Sequence, residues 1–439
     1  MQSSWVSVGV ACLLVVVVFA SANVVSARET GPSPHLATQL LPLAVTTKTV
    51  TVGKMPTIAL YDPATTDVYV ANEGSNTVSA ISSTTYAVTT IKVGTEPVDI
   101  IYAPSTKSLY VVNSEKSISV ISSANKVVHT VTFPSGTVPI SEIYDPANGD
   151  VYVVCDTTTG SQVDAINQAT FALTIVKLPT GALFSAYDNA TLSLVVSSGP
   201  SNEVTAISST NVATTVTLTA GIWPSWMVYN PHDSDLYITD IGETEHGFTK
   251  TGNVSVLSSA NKIIATLKVG NYPTIGWYDP KNFDIYEINT GLPSGKTYPT
   301  STVSVIATTN KVVKTLTVGK YAVVAFYDPK NSEMYIACPA SNETFAITSA
   351  NAITAMVVTK QYAGAALYDP ALGEMLAFGF ATFNGAPVAD TIVTLIPSTN
   401  TGTSTVTLGL GPVAGTAYDP TDSGFWAVNM GATTVSVIL

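Results

Sequence analysis

The chain has 439 residues, a formal net charge of −12 and only 11% charged residues, against about 25% in an average soluble domain. This acidic, charge-poor composition excludes nucleic acid as a main partner, because nucleic-acid binding needs a basic surface. The three cysteines fit a fold that needs no disulfide, since a chain of this length can bury ample apolar area without one.

Residues 1–27 have the composition of a targeting segment. Val6 to Val25 is almost wholly apolar and uncharged, and Val25-Ser26-Ala27 fits a cleavage site of small residues. The apolar run is also long enough to span a bilayer if it is not removed. The sequence therefore predicts an extracellular or cell-surface protein, with residues 1–27 as a signal peptide or a membrane anchor. Membrane contact is expected only through this segment, and residues 28–45 form a linker.

A tyrosine that usually opens a Tyr-Asp-Pro triplet recurs nine times in the rest of the chain. Its positions are Tyr61, Tyr102, Tyr144, Tyr187, Tyr229, Tyr278, Tyr327, Tyr368 and Tyr418. Successive spacings run from 41 residues (Tyr61 to Tyr102) to 50 (Tyr368 to Tyr418). A period in the low forties with four short β segments per unit is typical of a propeller blade. The sequence predicts an all-β propeller of four-stranded antiparallel blades over residues 46–439. Nine blades are expected, or eight if one unit is degenerate.

The first unit shows how the four strands are recognised. Pro56 to Tyr61 is a short apolar run that ends in an Asp-Pro turn, and Asp67 to Asn72 is an alternating run rich in β-forming residues. Thr77 to Ile81 and Ala87 to Val93 supply the third and fourth strands.

The last unit stops within its third strand, and the missing fourth strand stands at the start of the domain. Residues 47–53, Thr-Lys-Thr-Val-Thr-Val-Gly, match the other fourth strands, for example Thr315 to Gly319. We therefore expect residues 47–53 to complete the last blade and close the ring, which leaves no free gap between the ends of the chain.

Further residues recur at fixed places in the unit. Six units carry a second tyrosine eight residues after the first: Tyr69, Tyr110, Tyr152, Tyr237, Tyr286 and Tyr335. Trp426 and Leu376 take that place in two other units, and the fourth unit, with Leu194-Val195, lacks the second tyrosine. These side chains are expected to pack between neighbouring sheets. Six third strands are followed by an asparagine suited to a tight hairpin: Asn125, Asn211, Asn261, Asn310, Asn351 and Asn400.

Other recurrent polar or sulfur-containing residues have simple structural interpretations. Asp67, Asp150 and Asp284 follow the Asp-Pro turns at a constant distance, and we interpret them as Asx-turn caps rather than as a ladder of metal ligands. Cys155 and Cys338 hold equivalent places in units three and seven. Blades so far apart cannot be bridged, so both thiols are expected to be free and buried.

In several units, a second strand that ends in asparagine is followed by a third strand in which apolar and polar residues alternate. Examples are Val68 to Asn72, Leu109 to Asn113, and Thr302 to Ile306 continued by Asn310 to Gly319. These segments resemble the YVTN-type propeller repeat family of secreted and surface-layer-associated prokaryotic proteins, over about residues 46–439. The resemblance implies a propeller that serves as a binding or structural module, without a shared catalytic motif or cofactor.

Three units are enlarged between their second and third strands, at Asp240 to Thr251, Asn289 to Ser301 and Phe380 to Ala389. All three connections are expected on one face of the disc, which favours that face as a binding side over neutral variation in loop length. The ligand-binding candidates in these loops are Glu243, Glu245, His246, Phe248, Tyr298 and Phe383. The acidic residues and His246 match no recognised metal-site spacing, so no metal is predicted and a solvated loop is the alternative.

The first strands supply a second set of candidates, because they line the central channel. Asp99 and Glu142 lie in adjacent units at nearby levels, and Trp226 and Trp277 are expected on the same wall. A carboxyl pair can perform acid–base chemistry or bind a cation, and a water-filled channel is the alternative. Other catalytic signatures are absent from the sequence.

The composition and the repeats together predict a non-catalytic module of the cell surface. Its expected partners are a cell-envelope protein or glycan, with self-association as a further possibility. The alternative is a propeller hydrolase or lyase with chemistry at the channel mouth around Asp99 and Glu142. Asn189, Asn253 and Asn342 open Asn-x-Ser/Thr triplets and are candidate glycosylation sites. The scarcity of charge further suggests a protein that works in acid.

Overall fold

The chain forms nine four-stranded antiparallel sheets, each of which is one blade of a β-propeller. The computed structural model describes residues 45–219, 223–244, 247–248, 252–294, 297–360, 362–379, 382–383, 386–387, 390–401, 403–410 and 413–439. The predicted segment 1–27 and nearly all of the predicted linker 28–45 lie outside these residues. Within them, no helix has the length and apolar character needed to cross a membrane. The nine-bladed prediction is confirmed, and the eight-bladed alternative is excluded.

Blades 1 to 9 are numbered in chain order, and the strands of each blade are counted from the centre of the ring outward. The first strands are Pro56–Asp62, Pro97–Ala103, Thr137–Tyr144, Ala182–Asp188, Pro224–Asn230, Pro273–Tyr278, Val324–Asp328, Ala363–Asp369 and Val413–Asp419. The second strands are Asp67–Asn72, Ser108–Asn113, Val151–Thr157, Ser193–Ser198, Asp235–Asp240, Ile285–Asn289, Glu333–Cys338, Glu374–Gly379 and Gly424–Asn429. The third strands are Thr77–Ser82, Ser117–Ser122, Gly160–Ile166, Glu203–Ser208, Asn253–Ser258, Thr300–Ala307, Glu343–Thr348, Asp390–Pro397 and Thr434–Ile438. The fourth strands are Val88–Lys92, Lys126–Thr132, Leu173–Leu178, Ala213–Thr217, Lys262–Lys268, Lys311–Lys320, Ile353–Val358, Ser404–Leu410 and, for blade 9, Thr47–Thr51.

The hydrophobic core consists of layers between blades rather than a single centre. Each cluster of buried side chains draws on two neighbouring sheets; Tyr69 of blade 1, for example, packs in one cluster with Leu109 of blade 2. The first strand of blade 1 contacts the first strands of blades 2 and 9, whereas the fourth strands are largely exposed, as in Lys126–Thr132. The first strands therefore surround a central channel, and the fourth strands form the outer rim.

The antiparallel order sorts the connections onto two faces of the disc. We call the face that carries the links between blades and the connections from second to third strands the linker face. The opposite face, with the Asp-Pro turns and the hairpins from third to fourth strands, is the turn face. On the turn face, Asp62 accepts a hydrogen bond from the Ala64 N–H at 2.8 Å, and Asp279 accepts one from the Lys281 N–H at 2.7 Å. The first aspartate of each motif is thus the residue that caps its turn.

The ring closes as the sequence predicts. Thr47–Thr51 pairs antiparallel with Thr434–Ile438, so the N-terminal strand completes blade 9. Across the same seam, the Tyr86 ring of blade 1 stacks on Trp426 of blade 9 with centroids 5.7 Å apart. The Tyr86 hydroxyl donates to Asp422 at 2.8 Å. Both termini of the domain are therefore held in regular structure.

The recurrent tyrosine and asparagine form a clamp between neighbouring blades. In blade 7 the Tyr335 hydroxyl donates to Asn400 Oδ1 of blade 8 at 2.7 Å, and Asn400 Nδ2 donates to Glu333 at 2.6 Å. The same arrangement joins Tyr69, Tyr237 and Tyr286 to the asparagine of the next blade. The predicted packing of these tyrosines between sheets is confirmed, since all are buried.

The clamp corrects one sequence interpretation. Asp284 accepts from Asn351 Nδ2 of the next blade at 2.9 Å, and Asn125 of the next blade lies close enough to Asp67 to stabilise its carboxylate. Asp150 instead accepts from Asn167 Nδ2 of its own blade at 3.2 Å. None of the three caps its own turn, and their interpretation as Asx-turn caps was wrong. Where the fourth blade has Val195 instead of tyrosine, Asn261 Oδ1 of blade 5 is buried without a hydrogen-bond partner in the described structure.

The last residue of the second strand is a structural position on the linker face. In blade 1, Asn72 Nδ2 donates to Ser79 Oγ at 3.0 Å, and its Oδ1 accepts from the Gly53 N–H of the blade link at 3.1 Å. Cys155 and Cys338 take the equivalent position in blades 3 and 7. Both thiols are free and buried, as expected.

Candidate functional site

The three enlarged connections all leave the linker face. In blade 5, Glu243–Thr244 pairs with Gly247–Phe248 as an extra hairpin, and in blade 8, Thr382–Phe383 pairs with Ala386–Pro387. The connection of blade 6 contains an isolated bridge between Ser294 and Thr297. The insertions that the sequence indicates thus enlarge a single face.

The structure describes the predicted loop candidates only in part. Glu243 and Phe248 are opposite each other in the backbone pairing of the blade 5 hairpin. Their side chains, the side chain of Phe383, and all of Glu245 and His246 lie outside the described residues. In the described ranges, no three His, Cys, Asp or Glu side chains gather to hold a metal ion.

Tyr298 is the loop candidate whose side chain is described. It is half-buried, and its ring packs edge-on against Tyr321 in the link to blade 7, with centroids 4.7 Å apart. This contact connects the enlarged connection of blade 6 to the next blade, so Tyr298 has a structural role as well as an exposed edge.

Asp99 and Glu142 come together on the channel wall. They lie on the first strands of blades 2 and 3, and their carboxyl groups are within hydrogen-bonding reach of each other, so one of them must carry a proton to donate. Asp99 also accepts a bond from the Ile100 N–H at 2.8 Å. Each residue keeps some solvent access, but protein surrounds both carboxyls. This burial raises the pKa of Asp99 to about 6, and burial together with the Asp99 charge raises the pKa of Glu142 well above its usual value.

Trp226 and Trp277 belong to a row of four aromatic rings on consecutive first strands. The row runs from Phe184 through Trp226 and Trp277 to Phe326, with centroid separations of 6.2, 6.5 and 5.4 Å. Both tryptophans are partly exposed, whereas Phe184 and Phe326 are buried. The Trp226 indole N–H donates to the Gly276 carbonyl at 3.1 Å, which fixes its ring on the wall. Sequence reasoning identified the two tryptophans but not the phenylalanines that flank them.

Two buried carboxyl groups near the linker face were not predicted as functional. Glu287 of blade 6 is 1% exposed and accepts from the Thr239 hydroxyl of blade 5 at 3.0 Å. It fits because residue 276 is glycine, whose Cβ, if present, would lie 2.8 Å from Glu287 Oε2. Burial raises the pKa of Glu287 well above its usual value.

Asp240 is the second of these carboxyls. It ends the second strand of blade 5, in the position of Asn72, and is 0% exposed. Its Oδ2 accepts from Ser255 at 2.6 Å, and its Oδ1 is buried with no partner among the described residues. Burial raises the pKa of Asp240 to about 7. The sequence does mark Asp240 as unusual, because the other repeats often have an asparagine at this position, for example Asn72 and Asn289.

The candidate glycosylation sites differ in accessibility. Asn189 is exposed in the turn that follows Asp188. Asn253 is half-buried at the start of a third strand. Asn342 is half-buried with a left-handed backbone, and its Oδ1 accepts from the Tyr362 N–H at 2.7 Å. Asn189 is therefore the most accessible of the three acceptors.

Comparisons with known proteins identify the fold but no family. No family model and no curated protein matches the chain. Among solved structures, the dihydro-heme d1 dehydrogenase NirN in complex with DHE is similar with a TM-score of 0.56 at 11% identity, over 82% of this chain and 78% of that chain. Virginiamycin B lyase from Staphylococcus aureus matches with a TM-score of 0.47 at 11% identity, over 90% of this chain and 99% of that chain. Hydrazine synthase from Kuenenia stuttgartiensis matches with a TM-score of 0.43 at 14% identity, over 82% and 97% of the two chains. At such identities, the likeness to NirN shows a shared propeller fold alone.

Proposed function

We propose that the chain is an exported cell-surface propeller of the YVTN type that acts as a non-catalytic binding module through its linker face. The observation that carries this proposal is that the enlarged connections of blades 5, 6 and 8 all leave that face, two of them as extra hairpins. Variable loops on a rigid repeat scaffold commonly form its binding side. The acidic, charge-poor composition supports a protein or glycan of the cell envelope as partner.

The test replaces each enlarged connection with a short connection from the same protein. Residues 73–76, the native connection of blade 1, substitute in turn for 241–252, 290–299 and 380–389, and binding to isolated cell-envelope fragments is measured by co-sedimentation. As a matched control on the turn face, residues 370–373 of blade 8 are exchanged for 63–66 of blade 1. We expect at least one loop replacement to weaken binding about tenfold or more, with the control unchanged. Binding that survives all three replacements contradicts the proposal, and light scattering of the purified chain tests self-association separately.

One observation favours a second function, a propeller hydrolase or lyase. The neighbouring carboxyl groups of Asp99 and Glu142 both have raised pKa values: that of Asp99 is about 6, and that of Glu142 lies well above its usual value. Carboxyl groups with raised pKa values can serve as an acid–base pair. A screen of lactone and glycan substrates tests this alternative. Turnover that disappears in the combined variant Asp99→Asn and Glu142→Gln would establish it, and absence of turnover by the native chain would exclude it for those substrates.

A further inference from the structure

The channel wall is strongly asymmetric. Going around the ring, the carboxyl pair of blades 2 and 3 is followed directly by the aromatic row of blades 4 to 7. Six consecutive first strands therefore carry the carboxyl pair and then four neighbouring aromatic rings, of which Trp226 and Trp277 keep solvent access. The first strands of blades 8, 9 and 1 carry mainly Ala, Gly and Leu between their ends.

Among the residues that the structure describes, no basic side chain balances this acidic corner. The nine first strands contain no Lys, Arg or His, and the influences on Asp99 and Glu142 include their mutual interaction but no basic side chain. Two neighbouring carboxyl groups without a counter-ion either share protons or attract a cation from solution. Since the described chain places no third ligand beside them, they fall short of the six or more oxygens that Ca²⁺ prefers.

The aromatic row defines what kind of cation fits. Trp226 and Trp277 keep partial solvent exposure on first strands, which are the strands that surround the channel. The hydrogen bond from Trp226 to the Gly276 carbonyl and the packing of Trp277 against Phe326 hold both indoles in place before any ligand arrives. Indole faces bind both apolar groups and organic cations, and they attract cations more strongly than other aromatic rings do.

We propose that the channel is a binding site for amphipathic organic cations, with the ammonium group at Asp99 and Glu142 and the apolar body against Trp226 and Trp277. This site is separate from the linker-face loops, so it stands or falls independently of the proposed function. The amine supplies the missing counter-ion, and the aromatic row supplies a pre-formed apolar surface beside it.

The test compares two probes of nearly equal shape, 3-phenylpropylammonium and the neutral 3-phenylpropanol, by isothermal titration calorimetry on the full chain. The native protein should bind the ammonium probe at least tenfold more tightly than the alcohol. The combined variant Asp99→Asn and Glu142→Gln should lose this preference, and Trp226→Leu should weaken both probes. Glu374→Gln, which removes an acidic group outside the channel wall, should behave as the native protein does.

Three results with the ammonium and alcohol probes would overturn the proposal. They are equal affinity of the native chain for the two probes, no saturable binding of either, and a preference for ammonium that persists in the combined variant. Calcium chloride that binds more tightly than the amine and displaces it would also overturn it, by showing a metal site instead. Circular dichroism checks each variant, and if the combined variant does not fold, Glu142→Gln alone must reduce the preference.

Discussion

Asp240 offers a direct test of how buried carboxyl groups are accommodated in this propeller. In blade 6, the equivalent Asn289 donates through Nδ2 to Ser304 at 3.0 Å and accepts from the Gly270 N–H at 2.9 Å. An ionised aspartate has no proton to donate, whereas a protonated one resembles asparagine in size and can donate one hydrogen bond where the asparagine amide can donate two. We therefore expect folded Asp240 to hold a proton in place of the amide hydrogens, consistent with its pKa of about 7.

The pH dependence follows from the direction of this shift. Because burial raises the folded-state pKa of Asp240 from its ordinary value of 3.8 to about 7, the folded chain retains a proton that the unfolded chain loses. The stabilisation is complete below about pH 4 and is lost as the pH rises to about 7. A shift of about three units corresponds to about 4 kcal/mol. Asp240→Asn removes this titration, so it should stabilise the protein by up to about 4 kcal/mol at pH 8 and change it by less than about 1 kcal/mol at pH 4.

Urea unfolding of the native protein and of Asp240→Asn at pH 4 and pH 8, followed by tryptophan fluorescence, measures the difference. The mirror variant Asn289→Asp should show the opposite pattern, with a larger loss of stability at pH 8 than at pH 4. An effect of Asp240→Asn that is the same at both pH values would refute the reasoning, because it would show that the proton on Asp240 does not matter.

Other predictions test the clamps and the closure of the ring. Tyr335→Phe removes a hydroxyl that bonds in the clamp and should cost about 1–3 kcal/mol, whereas Tyr110→Phe removes a hydroxyl that lies near Thr106 of its own blade and makes no clamp bond in the described structure, so it should cost less, under about 1 kcal/mol; equal losses in urea unfolding would contradict the clamp. Val195→Tyr brings a hydroxyl to the unsatisfied Asn261 Oδ1 and should add about 1 kcal/mol, and a lower melting temperature would count against this pairing. Removal of residues 1–53 exposes the edge of Thr434–Ile438 and should lower the melting temperature by several degrees, with partial rescue by a peptide of residues 46–52. An unchanged melting temperature would show that the N-terminal strand is dispensable.

The fold was predictable because each blade repeats the same local chemistry. The Asp-Pro turn, the alternating second strand and the left-handed asparagine each have a local physical cause, and nine copies reinforce one another. The closing strand was recognisable because Thr47 to Gly53 repeats the pattern of the other fourth strands. Ring closure therefore followed from a count of strands rather than from tertiary information.

The clamps were not predictable in the same way, because each depends on a contact between blades. The sequence shows that Tyr335 and Asn400 recur in their units, but their bond joins one unit to the next. The interpretation of Asp284 failed for the same reason. A polar residue beside a turn fits a local cap equally well, and only the packed blades place Asn351 within 2.9 Å of it.

The channel site was foreseen in outline and missed in part. Asp99 and Glu142 stood out because inner strands otherwise carry carboxyl groups only at their ends, and adjacent units bring the two residues together. Phe184 and Phe326 did not stand out, since a phenylalanine in an apolar strand has the same pattern whether it fills the core or extends an aromatic row. Glu287 was overlooked although it is a charged residue between Tyr286 and Ile288, two side chains that are fully buried.

Asp240 belongs to a general pattern that bears on where the protein works. Every described carboxyl group with a shifted pKa is shifted upward, and burial is the largest cause in each case: Asp62, Asp67, Asp99, Glu142, Asp150, Asp164, Asp235, Asp240, Asp279, Asp284, Glu287, Asp369 and Glu374. The folded chain therefore takes up protons, and its stability should rise from pH 8 to pH 4. Below pH 4 the repulsion that unfolds many proteins in acid is limited here, because the chain has only 18 Lys and Arg residues. These two properties support the expectation of an acid environment, and unfolding of the purified chain below about pH 4 would contradict it.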